Sequence, residues 1–314
     1  MDILYFVVPC YNEQEVLPET SKRLLAKLQS MIQAGQVSDN SRILFVDDGS
    51  KDTTWQIISD LHQQDPHYSG LKLSRNKGHQ NAVLAGLSYA VKFADITISL
   101  DADLQDDIDA VDKFVEQYKQ GSDVVYGVRS ARTTDTAFKR STAQSFYKIL
   151  EAFGIEIVYN HADYRLMSRR AVEALMDFKE VNLFLRGIVP LIGFKSSTVQ
   201  YERHERFAGT SKYPLKKMLN LAIDGVTSFS IKPIRMITAA GVGVLGVSAI
   251  IFVWMLVNAI RYGLSTVLLT LFSLWLLAGL LLVALGVVGE YVGRMYMETK
   301  ARPRFFIDQT LNKE

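Results

Sequence analysis

Short apolar runs alternate with longer amphipathic stretches in the first part of the chain. Four runs are rich in β-branched and aromatic residues, as strands are; they are 3–8, 43–46, 96–100 and 123–126. Four intervening stretches repeat apolar residues at helical spacing; they are 14–34, 53–64, 80–93 and 108–119. This alternation predicts an α/β fold, with a Rossmann-like, mainly parallel sheet and helices on both of its faces.

Two later segments are predominantly apolar and carry no charge. Residues 236–260 and 264–289 contain no charged side chain, and each exceeds the roughly 20 residues that a helix needs to cross a bilayer. A buried core helix seldom runs so far without a charge. The three residues between the segments, RYG, predict a tight two-helix transmembrane hairpin whose ends lie on the same side of the membrane.

Basic residues indicate the orientation of this hairpin. They cluster outside it, at Lys216, Lys217, Lys232, Arg235, Arg294, Lys300, Arg302 and Arg304. Only Arg261 lies in the turn. By the positive-inside rule, the N-terminal part and the C-terminal tail are predicted to be cytoplasmic.

The segment before the hairpin has apolar residues at helical spacing beside two lysines. This pattern fits a helix in the headgroup layer, and a helix packed on the soluble part fits it nearly as well. The predicted division has four parts: a catalytic domain over 1–211, an amphipathic juxtamembrane segment over 212–235, the hairpin over 236–292 and a cytoplasmic tail over 293–314.

The composition and the absence of certain motifs argue against several classes of protein. The 314 residues carry a net charge of +2, so no basic field points to nucleic acid. Cys10 is the single cysteine, which excludes an intramolecular disulfide and a cysteine-based zinc site. The N-terminus lacks the basic start of a secretory signal, and no G-x-G-x-x-G or Walker sequence is present.

Polar clusters follow four of the predicted strands. PCYNE follows the first, DDGSKDTT the second, DADLQDD the ITISL strand and GVRSAR the DVVY strand. Ligands of parallel α/β sheets bind beyond the carboxyl ends of the strands. Four polar clusters on one edge therefore predict a binding site there.

The VDDGS sequence suits a nucleoside. Asp47 and Asp48 can accept hydrogen bonds from the base N–H and the ribose hydroxyls, and Gly49 lets the backbone come close. An aspartate helix cap followed by a glycine turn explains the same letters, so this motif alone does not decide.

The DADLQDD sequence suits a divalent cation. In an extended chain Asp101 and Asp103 share a face, and Gln105 adds a neutral oxygen. Such oxygen donors suit Mg²⁺ or Mn²⁺ bound together with substrate phosphates. The remaining carboxylates, Asp106, Asp107 and Asp109, are expected to begin the following helix, where negative charge suits the helix dipole.

Several cations follow the acidic motif along the chain. They are Arg129, Arg132, Arg165, Arg169, Arg206 and Lys212. Arginine is well shaped for bidentate phosphate binding, although any one of these residues alone fits a surface charge better. The five histidines have no metal-ligand spacing and receive no role.

Several motifs together resemble a known family. They are VVPCYNEQEVLP, VDDGSKDTT, SRNKGHQNAVLAGL, DADLQDD, ADYRLMSRRAVEAL and ERFAGTSKYPLKKM. They resemble family 2 glycosyltransferases with a GT-A fold, and among these the polyprenyl-phosphate glycosyltransferases. That group includes dolichol-phosphate mannose synthases and bacterial bactoprenol glucosyltransferases, which also carry a C-terminal pair of membrane helices. The resemblance covers nearly the whole chain.

The resemblance implies roles for individual residues. In the donor site the nucleotide pocket would be lined by Pro9, Tyr11 and Glu13, and base and ribose would be contacted by Val46 and Asp48. The ribose and diphosphate would meet Asp101, Ala102 and Asp103. The metal would be held by Asp103 and Gln105. Phosphates of the donor or the acceptor would be bound by Arg129, Arg206 and Lys212. Asp163 is the candidate general base, with pairing to Arg165 or Arg169 as its alternative role.

The resemblance also implies a reaction. One glucose would pass from UDP-glucose to undecaprenyl phosphate at the cytoplasmic face of a bacterial inner membrane, with inversion and with Mg²⁺ or Mn²⁺, for cell-envelope glycans such as O-antigen. Mannose and a 4-amino-arabinose-type sugar are the alternatives. A processive polysaccharide synthase is an alternative of another class, but its Q-x-x-R-W segment is absent. Small residues in the apolar segments leave a homo-oligomer open.

Overall fold

The computed structural model describes residues 1–130, 161–180, 184–202 and 266–312, with five isolated positions between 237 and 253. Its strands are β1 (Leu4–Cys10), β2 (Arg42–Asp47), β3 (Tyr68–Leu73), β4 (Ile96–Ser99), β5 (Val124–Arg129), β6 (His161–Ser168), β7 (Ser196–Tyr201) and β8 (Ile307–Leu311). Its helices are α1 (Leu17–Gln33), α2 (Thr54–Gln64), α3 (His79–Ala90), α4 (Ala110–Lys119), α5 (Arg169–Met176), α6 (Leu185–Leu191) and α7 (Thr266–Thr299).

The eight strands form one sheet in the order β7-β5-β6-β4-β1-β2-β3-β8. The central strands β4, β1, β2 and β3 are parallel, and β7 is parallel to β5. By contrast, β6 is antiparallel to both β4 and β5, and β8 is antiparallel to β3. The α/β sheet predicted as mainly parallel is therefore mixed.

Helices cover both faces of the sheet, as predicted. Alternate residues of β1 enter opposite cores because successive side chains of a strand point to opposite faces. Phe6 lies in the core beneath α1, α2 and α4. Val7 lies in the core beneath α3, α5 and α6. The four predicted strands and four predicted helices of the first part are confirmed, with small shifts at their ends.

The C-terminal tail folds onto the edge of the sheet. Strand β8 pairs with β3, the Trp55 indole N–H donates to Gln309 Oε1 at 3.0 Å, and the Ser74 N–H donates to the Phe306 carbonyl at 3.0 Å. The tail predicted over 293–314 thus contains a strand that the sequence did not indicate. The four-part division of the chain stays a prediction.

Helix α7 falls on the second apolar segment. Several of its large apolar side chains are exposed, among them Leu274, Leu281 and Leu285. Counting only described residues, no helix is long and apolar enough to cross a membrane. The two-helix hairpin stays a prediction. Most of its first helix lies outside the described residues, as does all of the juxtamembrane segment over 212–235.

The close packing of α3 on the sheet gives a test of the core. A Cβ added to Gly86 would lie 2.3 Å from Val7 Cγ1 and 2.8 Å from Val46 Cγ2. We expect Gly86→Ala to lower the free energy of unfolding by about 1–3 kcal/mol through overpacking, although alanine is the better helix former. Denaturant unfolding of the purified chain measures this change.

The matched control is Gly286→Ala in α7, where an added Cβ would meet nothing within 4 Å. This variant should be at least as stable as the wild type. Equal stability of the two variants would contradict the packing described for α3.

Candidate active site

The four predicted polar clusters lie along one edge of the sheet. They follow β1, β2, β4 and β5, and these strands run in the same direction because β6 is antiparallel to both β4 and β5. The first residues of β6, which include Asp163, reach the same edge. We call this edge the rim.

The loop after β1 rests on the loop after β2. The Asn12 N–H donates to Ser50 Oγ at 2.9 Å, and Asn12 Oδ1 accepts the Lys51 N–H at 2.8 Å. The Glu13 N–H donates to Thr54 Oγ1 at 2.9 Å. Both Glu13 and Tyr11 are half-buried at the rim, where a ligand could contact them.

Asp48 binds the protein's own backbone. Its Oδ1 accepts the Lys77 N–H at 2.6 Å and its Oδ2 accepts the Gly78 N–H at 2.9 Å. The side chain is buried, and burial raises the pKa of its carboxyl. Both oxygens therefore fix the loop before α3, and the contact of Asp48 with base and ribose stays a prediction.

The neighbouring residues are also buried. Asp47 accepts the Ser50 N–H at 3.1 Å, and its Oδ2 has no hydrogen-bond partner among the described residues. The side chain of Val46 lies wholly in the core, and its contact with a nucleotide stays a prediction. Pro9 is Val46's partner in β1 and is buried as well.

Gly49 allows a close approach, but within the chain itself. Its φ is +66°, and a Cβ there would lie 2.6 Å from backbone atoms of Arg75 and Asn76. The close approach predicted for a ligand is thus made by the loop that Asp48 binds.

The DADLQ segment turns instead of continuing the strand. β4 ends at Ser99, Leu104 has a φ of +57°, and Asp103 Oδ1 accepts the Gln105 N–H at 3.1 Å. The expectation that Asp101 and Asp103 share a face of an extended chain is therefore wrong. The turn nevertheless keeps Asp101, Asp103 and Gln105 together. The carbonyl of the buried Ala102 accepts the Thr20 hydroxyl at 2.7 Å.

The turn suits a cation shared with a ligand better than a cage made by protein alone. Among the described residues, no three His, Cys, Asp or Glu side chains gather as a metal site. Mg²⁺ usually takes one or two carboxylates and completes its shell with phosphate oxygens and water. Burial raises the pKa of Asp101; His79 opposes this rise and the Asp103 carboxylate adds to it. A cation between these two carboxylates would relieve their repulsion.

Asp163 is surrounded by cations. Its Oδ1 accepts Arg165 at 2.9 Å, and both of its oxygens accept Arg186 at 3.2 Å. Burial alone would raise the pKa of the carboxyl, but Arg186, His79 and Arg165 hold it well below its usual range. A carboxylate so stabilised is a poor general base, so the structure lends that candidate role no support and it stays a prediction. The alternative pairing with Arg165 is confirmed.

His79 bridges two acidic residues at the rim. Its Nε2 lies 3.6 Å from Asp101 Oδ1 and 3.6 Å from Asp163 Oδ2. Burial would lower its pKa, but Asp101 and Asp163 outweigh burial and raise it to about 9. We therefore expect His79 to be a cation at neutral pH.

Sequence reasoning missed His79 and Arg186. His79 lacks metal-ligand spacing, but it follows Gly78, whose φ is +86°, at the first residue of α3. Its position after a glycine turn, within the SRNKGHQNAVLAGL motif, could have indicated that His79 lies at the site. Arg186 comes from α6 and carries no local signal.

The predicted phosphate-binding cations separate into three groups. Arg129 ends β5 at the rim, and the buried Arg165 pairs with Asp163 at the same edge. Arg169 lies at the opposite edge, where its Nε donates to the Ala94 carbonyl at 2.8 Å. Three more, Arg132, Arg206 and Lys212, lie outside the described residues.

Asp106 does not begin a helix. Helix α4 starts at Ala110, whereas Asp106 is buried in the preceding loop. Burial and the Asp101 carboxylate raise its pKa to about 6, and Arg129 and a hydrogen bond from Tyr201 oppose the rise. The expectation that Asp106 serves the dipole of α4 is wrong.

Comparison with known families defines the class of this protein. The family described as glycosyl transferase family 2 matches residues 5–176, more than half of the chain and the part that runs from β1 through α5. The chain belongs to this family and is a glycosyltransferase.

Individual relatives match almost the whole chain. Uncharacterized glycosyltransferase YkoT of Bacillus subtilis (strain 168) is 48% identical, and the match covers 99% of this chain and 93% of that protein. The bactoprenol glucosyl transferase of Shigella phage SfX is 39% identical, with 96% and 97% covered. The prophage bactoprenol glucosyl transferase homolog of Escherichia coli (strain K12) is 40% identical, with 96% and 97% covered.

The role of Asp48 can be tested by one substitution. In Asp48→Asn, an amide group would face one of two backbone N–H donors, which leaves a buried donor unsatisfied at a cost of about 1–3 kcal/mol. We expect a lower free energy of unfolding and faster hydrogen exchange at the Lys77 and Gly78 amides. Asp60→Asn on the exposed side of α2 is the control, and similar exchange in both variants would contradict this role.

The His79 cation gives a test by pH. A raised pKa stabilises the fold fully below the unfolded value of about 6.5, and this stabilisation is lost as the pH rises through about 9. The wild type should therefore lose unfolding free energy across this window relative to His79→Gln. Denaturant unfolding in buffers containing a chelator measures the difference.

Asp101→Asn should reduce the same pH dependence, because it removes one carboxylate that raises the pKa of His79. Identical pH profiles for the wild type and His79→Gln would contradict a cationic His79.

Proposed function

We propose that this glycosyltransferase moves a single glucose from UDP-glucose to the phosphate of undecaprenol. The observation that carries the proposal is the 38–40% identity to bactoprenol glucosyl transferases over at least 96% of the chain. Because these matches include the two apolar segments as well as the sheet, the shared part comprises more than a common nucleotide-binding fold.

The acidic turn after β4 is the proposed metal site. Asp101, Asp103 and the amide oxygen of Gln105 would hold Mg²⁺ or Mn²⁺, and the donor's diphosphate would complete the ligands. A divalent ion held there would supply positive charge where the departing nucleoside diphosphate becomes more negative. Tyr11 and Glu13 line the neighbouring part of the rim and would contact the nucleotide.

The acceptor needs little help to lose a proton. The second pKa of a phosphate monoester is about 6, so the attacking oxygen is already ionised near neutral pH. This fits a site in which Asp163 is held as a carboxylate among cations instead of acting as a base. In the proposal Arg129, Arg206 and Lys212 bind phosphates, and attack on an α-linked donor gives a β-linked lipid product.

The proposed location is the cytoplasmic face of a bacterial inner membrane. The two apolar segments, the basic residues that flank them and the exposed leucines of α7 support it. Strand β8 ties the chain that follows α7 to the sheet, which would keep the rim near a lipid acceptor. Mannose and 4-amino-arabinose-type donors are the alternatives, and a processive polysaccharide synthase is the alternative of another class.

Sugar identity is tested with the full-length chain in membranes. Undecaprenyl phosphate is supplied with radiolabelled UDP-glucose, GDP-mannose or UDP-arabinose in separate reactions. The proposal predicts label from UDP-glucose in a lipid that mild acid cleaves. Label from another donor, or in a growing polymer, would contradict it.

The metal site is tested by Asp103→Asn. We expect a fall in kcat on the order of 10²-fold, as when one group that stabilises developing charge is removed, and weaker Mn²⁺ binding. Asp109→Asn is the control, because that side chain is 86% exposed and should leave both quantities unchanged. Full activity and Mn²⁺ affinity in Asp103→Asn would refute the metal role.

A further inference from the structure

We propose that Tyr201 and Asp106 are positioning residues that fix the guanidinium of Arg129 at the rim so that it meets a substrate phosphate. The inference rests on the proposed function in one respect, namely that Arg129 binds a phosphate of the donor or of the acceptor. It adds two residues for which the sequence predicted no role at a ligand.

Three separate segments bring these residues together. Arg129 ends β5 and Tyr201 ends β7, and the two are partners in the parallel pairing of these strands. Asp106 comes from the loop between the acidic turn and α4. The Ser130 N–H donates to the Tyr201 carbonyl at 2.9 Å, which keeps the two strand ends together.

The Tyr201 hydroxyl joins a cation to a carboxylate. It donates to Asp106 Oδ1 at 2.5 Å and accepts from Arg129 Nε at 3.4 Å. A phenol has one proton to donate and lone pairs to accept with, so both contacts can exist at once. A terminal nitrogen of Arg129 lies 3.8 Å from the same Asp106 oxygen.

The burial of the three side chains shows which of them positions which. The side chain of Asp106 is 3% exposed, whereas that of Arg129 is 24% exposed. Tyr201 is 3% exposed. Two buried groups therefore orient the one cation of the cluster that still reaches solvent at the rim.

The ring of Tyr201 is itself held in place. It packs edge-on against Tyr164 with 5.2 Å between ring centroids, and Tyr164 packs against Phe114 at 4.6 Å. The position of the hydroxyl is thus set before any ligand arrives. A phenylalanine at position 201 would keep this ring packing. The hydroxyl group is therefore needed only for its contacts with Asp106 and Arg129.

A fixed arginine binds phosphate at a lower entropic cost. A long side chain that is free to change rotamer must be immobilised on binding, and this weakens affinity. Removing the hydroxyl should therefore raise the KM of the phosphate-bearing substrate by about 3- to 10-fold, with little change in kcat.

The test compares Tyr201→Phe with Tyr164→Phe in the full-length chain. Tyr164 belongs to the same aromatic cluster, but its hydroxyl donates to the Asp107 carbonyl at 2.9 Å. We expect Tyr201→Phe to raise KM for one substrate, the donor or the lipid phosphate, and Tyr164→Phe to leave both KM values near the wild type. Asp106→Asn should act in the same direction as Tyr201→Phe.

A double-mutant cycle separates positioning from general structural damage. In an Arg129→Ala background, Tyr201→Phe should raise KM no further, because the cation that it orients is gone. An unchanged KM in the single variant, an equal rise in both backgrounds, or the same rise in Tyr164→Phe would overturn the proposal.

These ratios are measured with whichever sugar nucleotide the wild type turns over. If the wild type uses a donor other than UDP-glucose, the proposed function fails, while the variant-to-wild-type ratio still tests the role of Tyr201.

Discussion

The half-buried carboxylate of Asp163 makes the contacts on which the rim depends. Asp163 lies near the start of β6, Arg186 comes from α6, and His79 begins α3, so one acidic group joins three elements beside the end of β4. An uncompensated charge at such a site would be costly. With three cations around it, the carboxylate stays ionised and the rim keeps one arrangement.

Most acidic groups of the rim serve the protein itself. Asp48 binds the backbone before α3, and Asp106 binds Tyr201. Asp101 and Asp103 differ, because burial and mutual repulsion raise the pKa of Asp101 even with His79 nearby. The site thus leaves one pair of carboxylates that gains most from an added cation, and this pair lies in the turn that the proposed function requires.

The sequence predicted the layers and the location of the site because both depend on local patterns. Strand β1 is continuous and apolar, and the polar clusters follow strands directly. Strands β3, β6, β7 and β8 were missed, since runs such as SSTVQY and IDQTL are largely polar and exposed. Their pairing depends on distant partners: Trp55 and Gln309 meet across 254 positions. The burial of Asp47, Asp48 and Val46 could not be predicted, because composition does not reveal it. The contact of Asp163 with Arg186 could not be predicted either, because Arg186 is 23 positions away in the sequence.

In the proposed mechanism the turn after β4 binds a divalent cation together with the donor's diphosphate. A crystal of the full-length chain with UDP and Mn²⁺, measured at the manganese absorption edge, tests it most directly. We expect an anomalous peak in contact with the Asp103 carboxylate and a phosphate oxygen. A peak elsewhere, or UDP bound with no peak at this turn, would contradict it.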